Sequence, residues 1–166
     1  MKLLMLSDYS SHNSNVMRAS LDNHLRYCCK YGIDTFYMNK PYSPHNDFRI
    51  MELFSLYDYI ITVGTDILFT NFNKDIRDFL TDSFITIQLQ DGRDNYTVNG
   101  DFIIWKYDRE CFEEFSLEDR KYRNSQEAVN KLRYTDWKDC MRILPCRTLQ
   151  SVMETPFMPP RSRQRP

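Results

Sequence analysis

The chain has 166 residues, a formal net charge of −1 and 27% charged residues. This length is enough for one domain with a hydrophobic core, and the near-neutral charge does not point to nucleic acid or an anionic membrane as a partner. The four glycines are too few and too scattered to build a glycine-rich phosphate loop.

The five cysteines have an odd count and no CxxC spacing. This pattern predicts reduced thiols rather than a disulfide framework or a zinc site. The apolar run at the N-terminus is too short for a signal peptide, and no stretch is long enough to span a bilayer. The sequence therefore predicts a soluble, cytoplasmic protein with no membrane partner.

Strand and helix patterns alternate through the first third of the chain. A compact apolar run at 2–6 predicts a first strand, and helical spacing then begins at Ser14 and stops at Gly32. A second strand is predicted at 33–38 and a second helix at 48–56. This alternation favours a parallel or mostly parallel sheet with helices on its faces.

The centre of the predicted sheet is the β-branched run Tyr59–Val63, which Gly64 cuts off. Asp66 follows within three positions, before a second short apolar run at 67–69. In open α/β sheets, ligands collect beyond the carboxyl ends of the strands. Asp66 is therefore placed where it would meet a metal-bound or ribose-bound ligand. A buried strand followed by an ordinary polar turn explains the same residues.

The second half of the chain continues the alternation of strands and helices. Helices are predicted at 73–80, 108–115 and 125–132, and strands at 84–89, 98–105 (interrupted at 99–101) and 141–144. The C-terminal residues 156–166 contain four prolines and three arginines, which leaves almost no apolar surface to pack. We therefore predict a folded domain at 1–154 and an extended, disordered tail at 155–166.

Five segments in chain order resemble the glycosyltransferases of the GT-A fold, most closely the retaining galactosyl- and mannosyltransferase-like families. The longest, residues 46–73, resembles the segment in which a helix with a basic residue precedes a buried strand and an acidic pair. The shorter ones are 20–34 (SLDNHLRYCCKYGID), 98–104 (VNGDFII), 125–128 (SQEA) and 143–149 (ILPCRTL). The resemblance implies a Rossmann-like α/β domain of GT-A type, with a mixed, mostly parallel sheet and helices on both faces. It also implies a nucleotide-diphosphate sugar as donor and Mn²⁺ or Mg²⁺ as cofactor.

The sequence departs from the family at the metal site. The acidic pair Asp-x-Asp reads Gly64-Thr65-Asp66 here, so the resemblance carries over only Asp66 as a metal ligand. The family also has a metal-binding histidine near its C-terminus, whereas the three histidines of this chain are at positions 12, 24 and 45. The departure predicts weak metal binding, a metal site completed by other residues, or an enzyme without a tightly held ion.

The resemblance and the strand-end positions together indicate the residues that would bind the nucleotide-sugar. They are Ser7, Asp8, Tyr9, Arg49, Thr65, Asp66, Asn99 and Gly100. Arg49 stands roughly at the position of the family's basic residue and would help to neutralise the diphosphate. An ordinary polar loop after the first strand explains residues 7–9 nearly as well.

Four further residues are candidates for catalysis or for acceptor contacts. Asp91 and Asp94 flank a glycine in a predicted turn at a strand end, and a simple Asp-Gly turn explains them equally well. Gln126 and Glu127 match the family's acceptor-side or catalytic position, although an acidic residue at a helix start is also a common partner of the helix dipole. If the reaction inverts configuration, Asp91, Asp94 or Glu127 would be the base.

The leading hypothesis is a nucleotide-sugar-dependent glycosyltransferase that acts on an unknown acceptor (a glycan, a protein or DNA), and the family resemblance implies a retaining reaction. In a retaining reaction the donor's own phosphate oxygens could serve as the base. One alternative is a nucleotide-sugar-binding or interaction protein that kept the fold and lost turnover. Another is a compact viral or phage enzyme that glycosylates modified DNA bases. The oligomeric state is left open.

Overall fold

The computed structural model describes residues 1–8, 14–38, 53–65, 67–89, 97–122, 125–145 and 153–154. The strands are β1 Leu3–Asp8, β2 Asp34–Met38, β3 Tyr59–Val63, β4 Leu68–Phe69, β5 Ile85–Leu89, β6 Val98–Lys106, β7 Met141–Leu144 and β8 Met153–Glu154. In the described part of the chain, the α-helices are α1 Ser14–Tyr31, α2 Arg109–Asp119 and α3 Ser125–Leu132, and two 3₁₀ helices span Ile76–Phe79 and Asp136–Cys140.

The main sheet has six strands in the order β2-β1-β3-β6-β5-β7. β6 is antiparallel to both of its neighbours, while the pairs β1–β2, β1–β3 and β5–β7 are parallel. Among the described strands of this sheet, β6 is thus the reversed one. The predicted mixed, mostly parallel sheet is confirmed, and β3 lies at its centre as predicted.

Helices cover both faces of this sheet. Successive residues of a strand point to opposite faces, so Ile61 packs with Tyr27 of α1 in one core cluster. Its neighbour Ile60 packs with Phe112 of α2 and Val129 of α3 in the other. β1, an inner strand, is buried from Leu3 to Ser7 because both sides of the sheet are covered there.

The C-terminus of α1 shows how the local sequence sets an element boundary. Gly32 adopts a positive φ of 60°, and the N–H of Ile33 donates to the carbonyl of Cys28 at 2.9 Å. This is the Schellman arrangement, in which glycine takes the left-handed conformation at low cost. The chain then turns directly into β2.

Two predicted elements differ from the structure. The helix expected at 73–80 is a 3₁₀ turn, Ile76–Phe79, because the Asp75 side chain accepts from the N–H of Arg77 and starts the helix late. So short a segment gains too few hydrogen bonds to propagate an α-helix. The interrupted strand at 98–105 is one continuous strand, with its irregularity in the pairing with β5 between Ile87 and Leu89. Most of the helix expected at 48–56 lies outside the described residues.

A second, two-stranded sheet was not predicted. β8 pairs antiparallel with β4, with Leu68 opposite Glu154 and Phe69 opposite Met153. The chain therefore returns, shortly before its C-terminal tail, to the segment that follows β3. Residues 155–166 lie outside the described residues, so the boundary at 154 and the disordered tail stay predictions.

Two truncations would separate the role of the tail from that of β8. A chain that ends after Glu154 keeps β8, and we expect it to melt at nearly the wild-type temperature because the tail has little apolar surface. A chain that ends after residue 150 loses β8 and should melt several degrees lower, because β4 loses its paired strand. Thermal melts of both chains check this. A drop of several degrees in the longer chain would show that the tail packs on the body.

Candidate functional site

The carboxyl ends of β1 and β3 are joined by a buried hydroxyl. Ser7 Oγ donates to the carbonyl of Val63 at 2.7 Å, and the Ser7 side chain is buried. Ser7 therefore fixes the spacing of the two strand ends where the sequence predicts a ligand. Its proposed contact with a nucleotide stays a prediction, as does that of Asp8, the last residue of β1.

The backbone on both sides of position 66 is held by hydrogen bonds. The N–H of Gly64 donates to the carbonyl of Asp101 at 2.7 Å, and the N–H of Ile67 donates to the carbonyl of Gly64 at 3.2 Å. Thr65, between them, is buried. Asp66 itself lies outside the described residues, but the residues on either side of it are anchored to the end of the central strand.

Asp101, which is not among the residues predicted from the sequence, lies beside the end of β3. In the β3–β6 ladder Val63 faces Phe102, and the bond between Gly64 and Asp101 continues that ladder by one residue. Residues opposite each other on antiparallel strands project from the same face with their Cβ positions about 5 Å apart. An exposed carboxylate on Asp101 therefore lies across from Gly64. The sequence feature that could have pointed to Asp101 is its position as a charged residue directly before the apolar run 102–105.

The start of α3 docks against the start of β6 through a glycine contact. The N–H of Gly100 donates to Gln126 Oε1 at 3.3 Å. A Cβ at position 100 would lie 2.5 Å from Gln126 Cβ, which is closer than real Cβ contacts come. Asn130 adds a second hydrogen bond between α3 and β6, because its Oδ1 accepts from the N–H of Val98 at 3.0 Å. Only glycine fits at position 100 without moving α3.

The fold brings several of the predicted residues to one edge of the sheet. β6 runs antiparallel to β3, so the start of β6 lies beside the carboxyl end of β3. This edge collects the following candidates: Ser7, Asp8, Thr65, Asn99, Gly100, Gln126 and Glu127. Glu127 is half-buried in the first turn of α3, and Asn99 Oδ1 accepts from the N–H of Asp101 at 2.9 Å.

The remaining predicted residues lie outside the described part of the chain. They are Tyr9, Arg49, Asp66, Asp91 and Asp94. Asp91 and Asp94 belong to the connection from Leu89, the carboxyl end of β5, to Val98, the start of β6. Both ends of that connection lie at the same edge as the other candidates. The roles of these five residues stay predictions.

Metal ligation is not evident in the described residues. Among them, no group of three or more His, Cys, Asp or Glu side chains could hold a metal ion. His24 is buried, its Nε2 lies 2.7 Å from the carbonyl of Ile67, and burial lowers its pKa to about 4. Within the same residues, no helix is long and apolar enough to cross a membrane.

Several solved structures with a similar fold are glycosyltransferases. One, described as involved in glycosylation of the major capsid of PBCV-1, has a TM-score of 0.65 at 15% identity, over 87% of this chain and 81% of its own. A Drosophila β1,4-galactosyltransferase 7 mutant in complex with manganese, UDP-Gal and xylobiose has a TM-score of 0.57 at 12% identity, over 95% and 72%. The glycosyltransferase GlyE of Streptococcus pneumoniae has a TM-score of 0.56 at 11% identity, over 87% and 45%.

These likenesses identify the fold. The chain is an α/β protein whose mixed sheet is covered by helices on both faces. Its fold is that of the GT-A-like glycosyltransferases, as the sequence resemblance implied. No protein-family model matches the sequence, and no curated protein matches it.

Proposed function

We propose that this protein is a glycosyltransferase that moves a sugar from a nucleotide-diphosphate donor to an acceptor. The proposal is carried by one observation: in a GT-A-like fold, the candidate residues of β1, β3, β6 and α3 converge at one edge of the sheet. Ligands of α/β sheets bind at such edges, beyond the carboxyl ends of the parallel strands. Free reduced thiols at Cys28, Cys29, Cys111 and Cys140 are consistent with a cytoplasmic location.

Mn²⁺ or Mg²⁺ is the proposed cofactor, and carboxylate oxygens are the ligands that these ions prefer. Asp66 follows β3, and Asp101 lies across from Gly64 on β6. We propose that both carboxylates hold the ion, so that Asp101 supplies the oxygen ligand that Gly64 cannot. The β1,4-galactosyltransferase 7 complex contains manganese and UDP-Gal, which supports this donor and cofactor class. The ion would offset the charge of the diphosphate, and Arg49 would add a further positive charge.

In the proposed reaction, the bond between the anomeric carbon and the phosphate oxygen breaks and the diphosphate leaves with the electron pair. An acceptor hydroxyl forms the new bond to the anomeric carbon and gives up its proton. We favour retention of configuration, with a phosphate oxygen of the donor taking that proton. Inversion would instead require a carboxylate base, for which Asp91, Asp94 and Glu127 are the candidates. Gln126 would contact the acceptor or the transferred sugar.

A second candidate function is binding of a nucleotide-sugar without turnover. It is favoured by the glycine at position 64, where the resembled families have the first acidic residue of the pair. The acceptor of a transferase would be a glycan or a protein rather than DNA, since a net charge of −1 offers no excess positive charge for a DNA backbone.

Two measurements on the purified protein test the proposal. Thermal shifts with UDP-sugars and GDP-sugars, with and without Mn²⁺, should show stabilisation by at least one donor, and the ion should increase it, because a ligand that binds only the folded state stabilises it. Release of free nucleoside diphosphate with that donor should then exceed the rate without protein. A metal-dependent shift without release would favour the binding protein. No shift with any donor would contradict both functions.

A further inference from the structure

Two half-buried cysteines lie where α2 meets the 3₁₀ helix Asp136–Cys140. Cys111 is in the first turn of α2, Cys140 is the last residue of the 3₁₀ helix, and both thiols are free. Both side chains pack against the core cluster on the face of the sheet that α2 and α3 cover. Met141, the next residue, pairs with Ile85, the first residue of β5. The two cysteines are therefore near the amino end of β5, whereas the candidate site lies beyond the carboxyl ends of the strands.

A ring contact sets the position of the 3₁₀ helix along α2. Phe115 follows Cys111 by four residues, so both side chains project from the same side of α2. Trp137 precedes Cys140 by three residues, and side chains three apart are aligned in a 3₁₀ helix. The rings of Phe115 and Trp137 meet at a centroid distance of 5.7 Å. This contact brings Cys111 beside Cys140, and the two thiols lie within hydrogen-bonding reach of each other.

We propose that Cys111 and Cys140 form a redox-sensitive pair, a dithiol under reducing conditions and a disulfide that fastens α2 to β7 under oxidising conditions. The inference does not depend on the proposed function. Disulfides in reducing compartments are usually transient or redox-sensing, and a pair of adjacent thiols is what such a response requires. β7 is the last strand in the order of the main sheet, so the disulfide would link this strand to a helix that covers the sheet.

The oxidant for this step is a small-molecule disulfide such as oxidised glutathione. One protein thiolate attacks a sulfur of the oxidant and forms a mixed disulfide, and the first glutathione leaves with the electron pair and takes up a proton. The second cysteine then attacks the protein sulfur of the mixed disulfide and displaces the second glutathione. The protein loses two electrons and two protons, and the oxidant becomes two molecules of reduced glutathione.

The surroundings of Cys111 set the rate of this reaction. Burial, with a smaller effect of the nearby Cys140, raises the pKa of the Cys111 thiol to about 12. Because the thiolate is the attacking species, the disulfide should form slowly at neutral pH and faster as the pH rises.

The disulfide should also stabilise the fold. It closes the loop of residues 111–140, which contains α3, and a crosslink across such a loop reduces the conformational freedom of the unfolded chain. We therefore expect the oxidised protein to melt several degrees above the reduced protein.

The test is incubation of the native, fully reduced protein with excess oxidised glutathione at about pH 8, where thiolates are more abundant than at neutral pH. Intact mass should show the loss of two hydrogen atoms, and peptide mapping should link Cys111 to Cys140. The melting temperature should rise on oxidation in wild type and not in Cys140→Ser. Cys29→Ser is the matched control, because it removes an exposed thiol and should keep both the link and the rise.

Three results would overturn the inference. The first is a native protein that links Cys111 to Cys140 no more often than protein oxidised in urea, where the fold no longer brings them together. The second is a stable glutathione adduct on either residue, which would show that the second thiol cannot reach the first. The third is a disulfide that leaves the melting temperature unchanged. Should Cys140→Ser not fold, Cys111→Ser replaces it, and the mapping of wild type needs no variant.

Discussion

Replacing Asp66 with alanine is expected to abolish manganese-dependent binding of UDP or GDP and to leave the melting temperature nearly unchanged. By the sequence resemblance, Asp66 stands at the second position of the Asp-x-Asp pair, whose first position is Gly64 here, and the described residues contain no metal-binding cluster that could replace it. The backbone hydrogen bond from Ile67 to Gly64 does not involve the side chain at position 66. Loss of that side chain should therefore cost little stability. Titration of Mn²⁺ with each nucleotide, alongside a thermal melt, measures both effects.

The reverse substitution, Gly64→Asp, should tighten metal binding. Gly32 is the glycine with positive φ in the described part of the chain, and Gly64 continues the β3–β6 ladder, so a side chain at position 64 is compatible with the backbone. The new carboxylate would face Asp101 and give the ion another oxygen ligand. Without metal, two facing carboxylates repel each other. The variant should therefore melt lower than wild type in EDTA and recover when Mn²⁺ is added.

Asp101→Asn tests the partner carboxylate, both alone and combined with Gly64→Asp. It keeps the side-chain volume and removes the charge, so it should weaken metal binding if Asp101 is a ligand and relieve the repulsion in Gly64→Asp. Unchanged nucleotide and metal affinity in Asp66→Ala would mean that the turn after β3 is structural. The transferase would then have to bind its donor elsewhere.

The second large effect is a loss of stability at mildly acidic pH through His24. Burial lowers the pKa of His24 to about 4 in the folded protein from 6.5. Between these pH values the unfolded chain binds a proton that the folded chain does not, so stability falls as the pH falls through this window. Above about pH 6.5 the titration of His24 does not reduce the free energy of unfolding. By about pH 5 it should have reduced the free energy of unfolding by about 2 kcal/mol.

Urea unfolding of wild type and His24→Gln at about pH 7.5 and about pH 5 measures this contribution. Glutamine can donate to Ile67 and does not titrate, so the stability difference between the two proteins should shrink by about 2 kcal/mol at the lower pH. The usual pKa values of Asp and Glu, about 3.9 and about 4.3, lie below the lower of these two pH values, which limits the effect of carboxyl groups on the comparison. A difference that does not change with pH would show that His24 is protonated or exposed in the folded protein.

Several elements could be predicted from the sequence because short-range chemistry determines them. The apolar β-branched run of β3 and the helix boundary at Gly32 match the structure, since side-chain periodicity and the conformational freedom of glycine act over a few residues. The GT-A-like fold was also predicted, from five short segments whose order in the chain reflects the order of the elements. The importance of the edge beyond β3 followed from the general behaviour of α/β sheets.

Tertiary structure alone decided which residues meet at that edge. The pairing of Gly64 with Asp101 depends on the register of β6 against β3, which no local pattern encodes. Asn23 and His24 hydrogen bond to the backbone carbonyls of Phe69 and Ile67, which lie more than forty residues away in the chain. Nothing in the local sequence around these polar side chains indicates such bonds. β8 has two residues and is a strand only because β4 lies beside it. Long-range pairs of this kind form when chain topology brings distant backbone together, and the local sequence therefore cannot specify them.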